Sequence, residues 1–272
     1  MTLQMALDLT GSLKTEWVPP VDLPDIFDAK QIAIDLETRD PNLKSLGPGW
    51  ARKDGEVVGY AVAIDGWSGY FPVNHLGGGN LDRRLVERWM KKVCECPAEK
   101  IFHNAQYDVG WLRAHGIEVK GRIIDTMVVA SLLDENRRSF SLNSVAYDYL
   151  NKVKSEKELI ESARAFGLDP KAEMWKMPSM HVGKYAEVDA ELALELWNYF
   201  KVEIGKEGLH DIVDLELKLL PCLVDMTWRG VRVDLDAAER TKEALIKREA
   251  SVNRKIKKLV GRPVEIWAAQ SL

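Results

Sequence analysis

The chain has 272 residues, 46% of them hydrophobic, which is enough to bury a full core and leave room for an appendage. It has no run of eighteen apolar residues and no basic head at the N-terminus, so neither a membrane span nor a signal peptide is expected. Three cysteines (Cys94, Cys96 and Cys222) are too few for a disulfide framework, and this fits a reducing cytoplasm.

Residues 1–27 read as an extension punctuated by Pro19, Pro20 and Pro24. Three strands are predicted over 31–37, 55–65 and 69–73, with a loop over 38–50. The glycines at 77–79 form a turn and not a phosphate loop, because no Gly-Lys-Ser/Thr follows. A helix over 80–96 comes next, then a strand over 100–103 and a helix over 105–115 that closes at Gly116. A short strand near 122–125 leads into helices near 126–134 and 141–151, and residues 152–180 read as one helix plus loops. A helix over 181–203 shows apolar spacing at Tyr185, Val188, Leu192, Leu196 and Tyr199. A further helix over 208–229 is apolar at Leu209, Ile212, Val213, Leu215, Leu219, Leu220, Leu223 and Met226. Strands followed by alternating strands and helices imply an α/β fold, with a mixed sheet flanked by helices. Cys94 and Cys96 lie near His103, but their spacing does not match the usual zinc pairs, and a helix end followed by a strand explains them better.

The carboxylates carry the chemistry. Asp35 and Glu37 follow the apolar run Ile32-Ala33-Ile34, and the period of two puts both on one side of a strand. Two such acids repel each other unless a cation sits between them. Asp108 lies in the first turn of a helix, where by itself it complements the helix dipole, and Asn104 at that junction is in a capping position. Tyr185 and Asp189 are four apart on a helix, one turn from each other on the face that carries the apolar stripe. An Asp on the buried side of a helix is expensive unless it is paired or bound to a cation.

In this order, Asp35-x-Glu37, Asn104-x-x-x-Asp108 and Tyr185-x-x-x-Asp189 resemble the proofreading 3′–5′ exonuclease domains of the ribonuclease H-like superfamily. The closer resemblance is to the tyrosine subtype found in family A DNA polymerases, of the bacterial polymerase I type and its phage relatives. Lys184 stands where the histidine subtype has its histidine. The segment 123–150 is similar to the region that follows the second motif in that family. Residues 215–245, with Gly230, Val231, Val233 and Asp234, are similar to the start of its polymerase domain. The resemblance covers roughly residues 28–272, and implies an exonuclease domain over 28–207 and a truncated helical start of a polymerase domain over 208–272.

That resemblance implies a two-metal site for Mg²⁺ or Mn²⁺, which prefer carboxylate oxygen. Asp35, Glu37 and Asp189 would hold one ion, and Asp35 with Asp108 the other, while Tyr185 orients the attacking water. The implied activity is removal of 5′-mononucleotides from a single-stranded DNA 3′ end. Thr38, Asn104 and Tyr107 match substrate-contacting positions, and Arg138 (or equally Arg137) is placed to meet a phosphate. Polymerisation is not expected, because the family's polymerase motifs lie several hundred residues further on. The chain is then a fragment, a truncated frame, or one half of a split polymerase whose remainder is a separate chain. Residues 239–262 carry nine Lys or Arg and three Glu, a charge that permits DNA contact. Two other readings stand beside this one: an RNA 3′ exonuclease of the ribonuclease D kind, and a non-catalytic DNA-binding exonuclease fold.

Overall fold

The computed structural model describes residues 15–268 and divides into two compact units, one running to Arg229 and the other starting at Gly230. The first unit opens with β1 (Gln31–Arg39). The segment that reads as a loop after it holds two single-turn helices, α1 (Leu43–Leu46) and α2 (Gly49–Arg52). Asp40 Oδ2 accepts the Gly49 amide at 2.8 Å, which fixes the start of α2. The hairpin β2 (Glu56–Ile64) and β3 (Trp67–Pro72) follows.

Helix α3 (Arg83–Glu95) begins where Asp82 accepts the Leu85 amide, and it buries Val86, Trp89, Met90, Val93 and Cys94 at helical spacing. After β4 (Glu99–Phe102) comes α4 (Ala105–Ala114), and after β5 (Ile123–Asp125) come α5 (Thr126–Leu133) and α6 (Leu142–Leu150). The mixed region holds α7 (Lys157–Phe166) and two 3₁₀ turns, at Met174–Lys176 and Ser179–His181. Helix α8 (Gly183–Glu207) is 25 residues long and outruns its sequence-based end by four residues, stopping at the left-handed Gly208. Helix α9 (His210–Arg229) completes the first unit.

The five strands run in the order β3-β2-β1-β4-β5. β1 pairs antiparallel with β2 and parallel with β4, while β2–β3 is antiparallel and β4–β5 parallel. The sheet is therefore mixed, with β1 at its centre and helices on both faces. One face of β1 sends Ile32, Ile34 and Leu36 into a layer with Trp89, Met90, Trp111 and Leu112. The other face carries Ala33, which packs with Ala61 and Ala63 against Ala186, Ala190 and Ala193 of α8. Asp35 and Glu37 continue that second row, and the strand period alone sends them toward α8.

The buried faces of the two long helices differ from the sequence reading. In α8 the expected Leu192 and Leu196 turn inward together with the alanines, Trp197 and Phe200, while Tyr199 is exposed and Tyr185 and Val188 are half-buried. In α9 the inward stripe is Val213, Leu217, Leu220 and Val224, and Ile212, Leu215, Leu219, Leu223 and Met226 face outward. Two segments are clamped onto this framework. Trp228 of α9 stacks on Trp50 with ring centroids 6.3 Å apart, and Arg113 of α4 lies over the Trp228 ring and pairs with Asp225. Ahead of the sheet, Trp17 covers the start of α8. Its indole donates to Glu187 at 2.8 Å, and Gly183 is needed there because a Cβ would lie 2.0 Å from the ring.

In the second unit, α10 (Leu235–Val260) is capped by Asp234, which accepts the Ala237 amide at 2.9 Å, and none of its residues is buried. Lys242 pairs with Glu239 on its surface. Among the described residues no helix is long and apolar enough to cross a membrane, and all three cysteines are free.

Helix α4 lies so close to Trp50 that a Cβ at Gly110 would come within 2.1 Å of the indole. Gly110→Ala is expected to lower stability by about 1–3 kcal/mol through overpacking, read as a reduced midpoint in urea unfolding with an unchanged slope.

Candidate active site

Asp35 and Glu37 on β1 and Asp189 on α8 meet at one point, where one carboxylate oxygen from each lies within 4.8 Å of the others. The small residues of the neighbouring strand make this possible. Asp35 pairs across the sheet with Ala61 and Glu37 with Gly59, where a Cβ would lie 2.1 Å from the Tyr70 hydroxyl, so the small residues make room for the acids and for the Tyr70 ring beside them. A shift in register follows directly, between Glu37 and Thr38.

Asp108 reaches the same strand from its edge. β1 pairs with β4 only at residues 31–33, so beyond that its amides lack a strand partner on that side. Asp108 Oδ1 accepts the Leu36 amide at 3.2 Å and takes the missing strand's place. Its helix is aimed by a second buried carboxylate. Asp125 accepts the Asn104 amide at 3.0 Å and the Ala105 amide at 2.8 Å, and also caps its own helix α5 through the Met127 amide. The capping role that position suggested for Asn104 therefore belongs to Asp125. Asn104 itself adopts the left-handed conformation, φ 71°, and its side chain makes no capping bond.

Lys154 is the residue sequence reasoning missed. It lies between α6 and α7 with its side chain 2% exposed, and its ammonium pairs with Asp189 and sits 2.9 Å from the centroid of the Tyr185 ring. A lysine in a stretch without periodicity reads as solvated, and no local signal distinguishes it from Lys152, which pairs with Glu195 at the surface.

The proposed substrate contacts fall into two groups. Thr38 Oγ1 and the Tyr107 hydroxyl are 2.7 Å apart, and that hydroxyl also donates to Asp40 at 3.3 Å, so both are held beside the β1 end. Arg138 is exposed and makes no hydrogen bond or ion pair among the described residues, whereas Arg137 pairs with Asp148 at 2.7 Å and lies over Tyr149. Phe102 and Trp111, the aromatics that flank the Asn104-x-x-x-Asp108 motif, are core residues. His103 is committed to Thr126 and the Phe140 carbonyl, and Cys96 to the Val93 carbonyl.

A model of the 3′–5′ exonuclease family of family A DNA polymerases matches residues 69–205. The chain belongs to that family. A DNA-directed DNA polymerase of Pseudomonas phage M6 is 33% identical over 269 residues, covering 95% of this chain and 40% of the phage protein. This exonuclease chain thus spans about two-fifths of the length of that relative. Among solved structures, the POL domain of Pol1 from M. smegmatis, in complex with DNA primer-template and dNTP, superposes with a TM-score of 0.63 at 15% identity, over 99% of this chain and 38% of that one. Brucella melitensis NrnC superposes with a TM-score of 0.56 at 17% identity, over 78% and 91%. These likenesses are of fold, the ribonuclease H-like mixed sheet flanked by helices.

The acidic cluster is short of positive charge. Burial raises the Asp35 carboxyl well above its usual range, and repulsion from Asp189, Asp108 and Glu37 adds to it. Burial and Asp189 push Glu37 up to about 7. Asp108 and Asp189 are raised by burial as well, the first partly relieved by the Leu36 amide and the second by Lys154 and the Tyr185 hydroxyl. Burial and the surrounding carboxylates also raise the Tyr185 phenol, which stays protonated at neutral pH. An all-oxygen carboxylate set left with excess negative charge fits a hard divalent cation.

Because Glu37 binds its proton more tightly in the folded chain, the folded state loses stability as pH rises from about 4.5 through about 7. Glu37→Gln is therefore expected to gain stability relative to the parent over that interval, by on the order of 2 kcal/mol in EDTA, measured by urea unfolding at pH 5 and pH 8.

Proposed function

We propose that this chain is a proofreading exonuclease that hydrolyses the terminal phosphodiester of a single-stranded DNA 3′ end and releases 5′-mononucleotides. The observation that carries this reading is the convergence of Asp35, Glu37 and Asp189 within 4.8 Å, with Asp108 beside them on the Leu36 amide. Asp35, Glu37 and Asp189 would hold one divalent cation, Mg²⁺ or Mn²⁺, and Asp35 with Asp108 a second. When bound, such ions supply water activation and neutralise charge on the phosphate and the leaving oxygen.

The remaining work falls to the chain's own groups. The Tyr185 phenol keeps its proton and serves as a hydrogen-bond donor that orients the attacking water, not as a base. Thr38 and Tyr107, already bonded to each other, are positioned to hold the terminal sugar, with Asn104 beside them and Arg138 free to meet a phosphate further along. In this reading residues 28–207 form the exonuclease domain, and residues 208–272 begin a polymerase domain whose remainder is a separate segment or chain. The basic helix α10 supplies DNA contact there. A cytoplasmic setting follows from DNA as substrate.

The test uses 5′-labelled single-stranded DNA and a matching RNA, with Mg²⁺, Mn²⁺ or EDTA. Stepwise shortening from the DNA 3′ end is expected with either ion and not in EDTA. Asp189→Ala should lose on the order of 10²–10³-fold in rate, as when one stabiliser of transition-state charge is removed. Tyr185→Phe should lose about ten-fold, the worth of one hydrogen bond. Preferential degradation of the RNA would overturn the proofreading assignment in favour of a ribonuclease. No cleavage of either strand under any condition would favour a non-catalytic DNA-binding module.

A further inference from the structure

A buried ammonium among buried carboxylates is costly to assemble, and its position here is specific. Lys154 is 2% exposed at its side chain, pairs with Asp189 (11% exposed), and is close enough to Glu37 and Asp35 to lower the proton affinity of both. It also covers the ring of Tyr185, the residue one helical turn before Asp189. No other cation pairs with Asp35, Glu37 or Asp189 among the described residues. Lys154 is carried by a segment without regular structure, with Asn151 in the left-handed conformation ending α6 on one side and α7 starting at Lys157 on the other. It can therefore withdraw without unwinding a helix.

We infer that Lys154 is a resident counter-ion of the acidic site, which holds Asp189 in the ion-free chain and must leave it when a divalent cation binds. The inference rests on the reading of Asp35, Glu37 and Asp189 as a cation site. The ammonium and the divalent ion neutralise the same carboxylate, so their binding is mutually exclusive at Asp189, and the affinity for the ion is set by the difference between the two. The displaced ammonium remains tethered beside the site on a flexible four-carbon arm, positioned to meet the phosphate of an incoming strand. Lys154 is thus a positioning residue: it keeps the carboxylates in place before the ion arrives and is released by that arrival.

The experiment titrates Mn²⁺ into the full chain by calorimetry, without nucleic acid, for the parent and for Lys154→Met. Removing the competing charge should tighten Mn²⁺ binding by on the order of ten-fold, while the melting point in EDTA falls because the carboxylates lose the cation paired with them. A second measurement needs no variant. Acetylation of Lys154 in the parent chain, followed by mass spectrometry, should be slow in EDTA and rise several-fold in saturating Mn²⁺. Equal Mn²⁺ affinity in parent and variant, or acetylation indifferent to the ion, overturns the role given to Lys154 and leaves the cation site standing. Absence of Mn²⁺ binding in both chains overturns the cation-site reading itself.

Discussion

The architecture turns on bringing like charges together under a helix. Three carboxylates within 4.8 Å of one another repel strongly in a site partly closed to water, and a rigid frame is needed to hold them there. The frame is a seam of small side chains. Ala33, Ala61 and Ala63 on the sheet meet Ala186, Ala190 and Ala193 on α8, and this lets the helix axis come close. With larger residues along the seam, Asp189 would stand too far from β1 to share a ligand with Asp35 and Glu37. The folding energy is supplied elsewhere, by the aromatic layer on the opposite face and by Leu196, Trp197 and Phe200 further along the same helix.

Backbone amides do much of the remaining positioning. The premature end of the β1–β4 pairing leaves the Leu36 amide open, and Asp108 fills it. Asp125 binds the first amides of α4 and of α5, so one buried carboxylate aims both helices and the strand that carries it. Sheet, α4 and α8 each contribute acids from different distances along the chain. Among the described residues, the one basic group paired with them, Lys154, comes from a segment without regular structure.

The fold was legible wherever the side-chain pattern had a period. The β1 run, the β2–β3 hairpin and the helices carrying Asp108 and Asp189 stand within a few residues of their expected bounds, because apolar runs and cap residues marked them. The orientation of the long helices was not legible in the same way. Alanine is too small to stand out in an apolar stripe, so the reading of α8 found the buried Leu192 and Leu196 but took in Tyr185, Val188 and Tyr199 in place of the alanines. In α9 nearly every turn carries leucines on two sides, and only packing against β5 and α4 selects Val213, Leu217, Leu220 and Val224. Single-turn helices such as α1 and α2 are too short to show a period at all. Lys154 escaped for a related reason: its partner lies 35 residues away on another element, and lysines in loops are normally solvated.

The docking of Trp17 bears on where this domain can be said to start. By sheet and motifs alone, the exonuclease begins near residue 28. Yet the Trp17 indole closes over Gly183 and occupies Glu187, two residues before Asp189, and the same Glu187 also accepts the Tyr70 amide of β3. A chain shortened to its first strand would expose the leading turn of α8 and leave Glu187 half-satisfied at the edge of the acidic cluster. The working boundary of this fold is therefore set by a side chain's contact and not by the first element of regular structure.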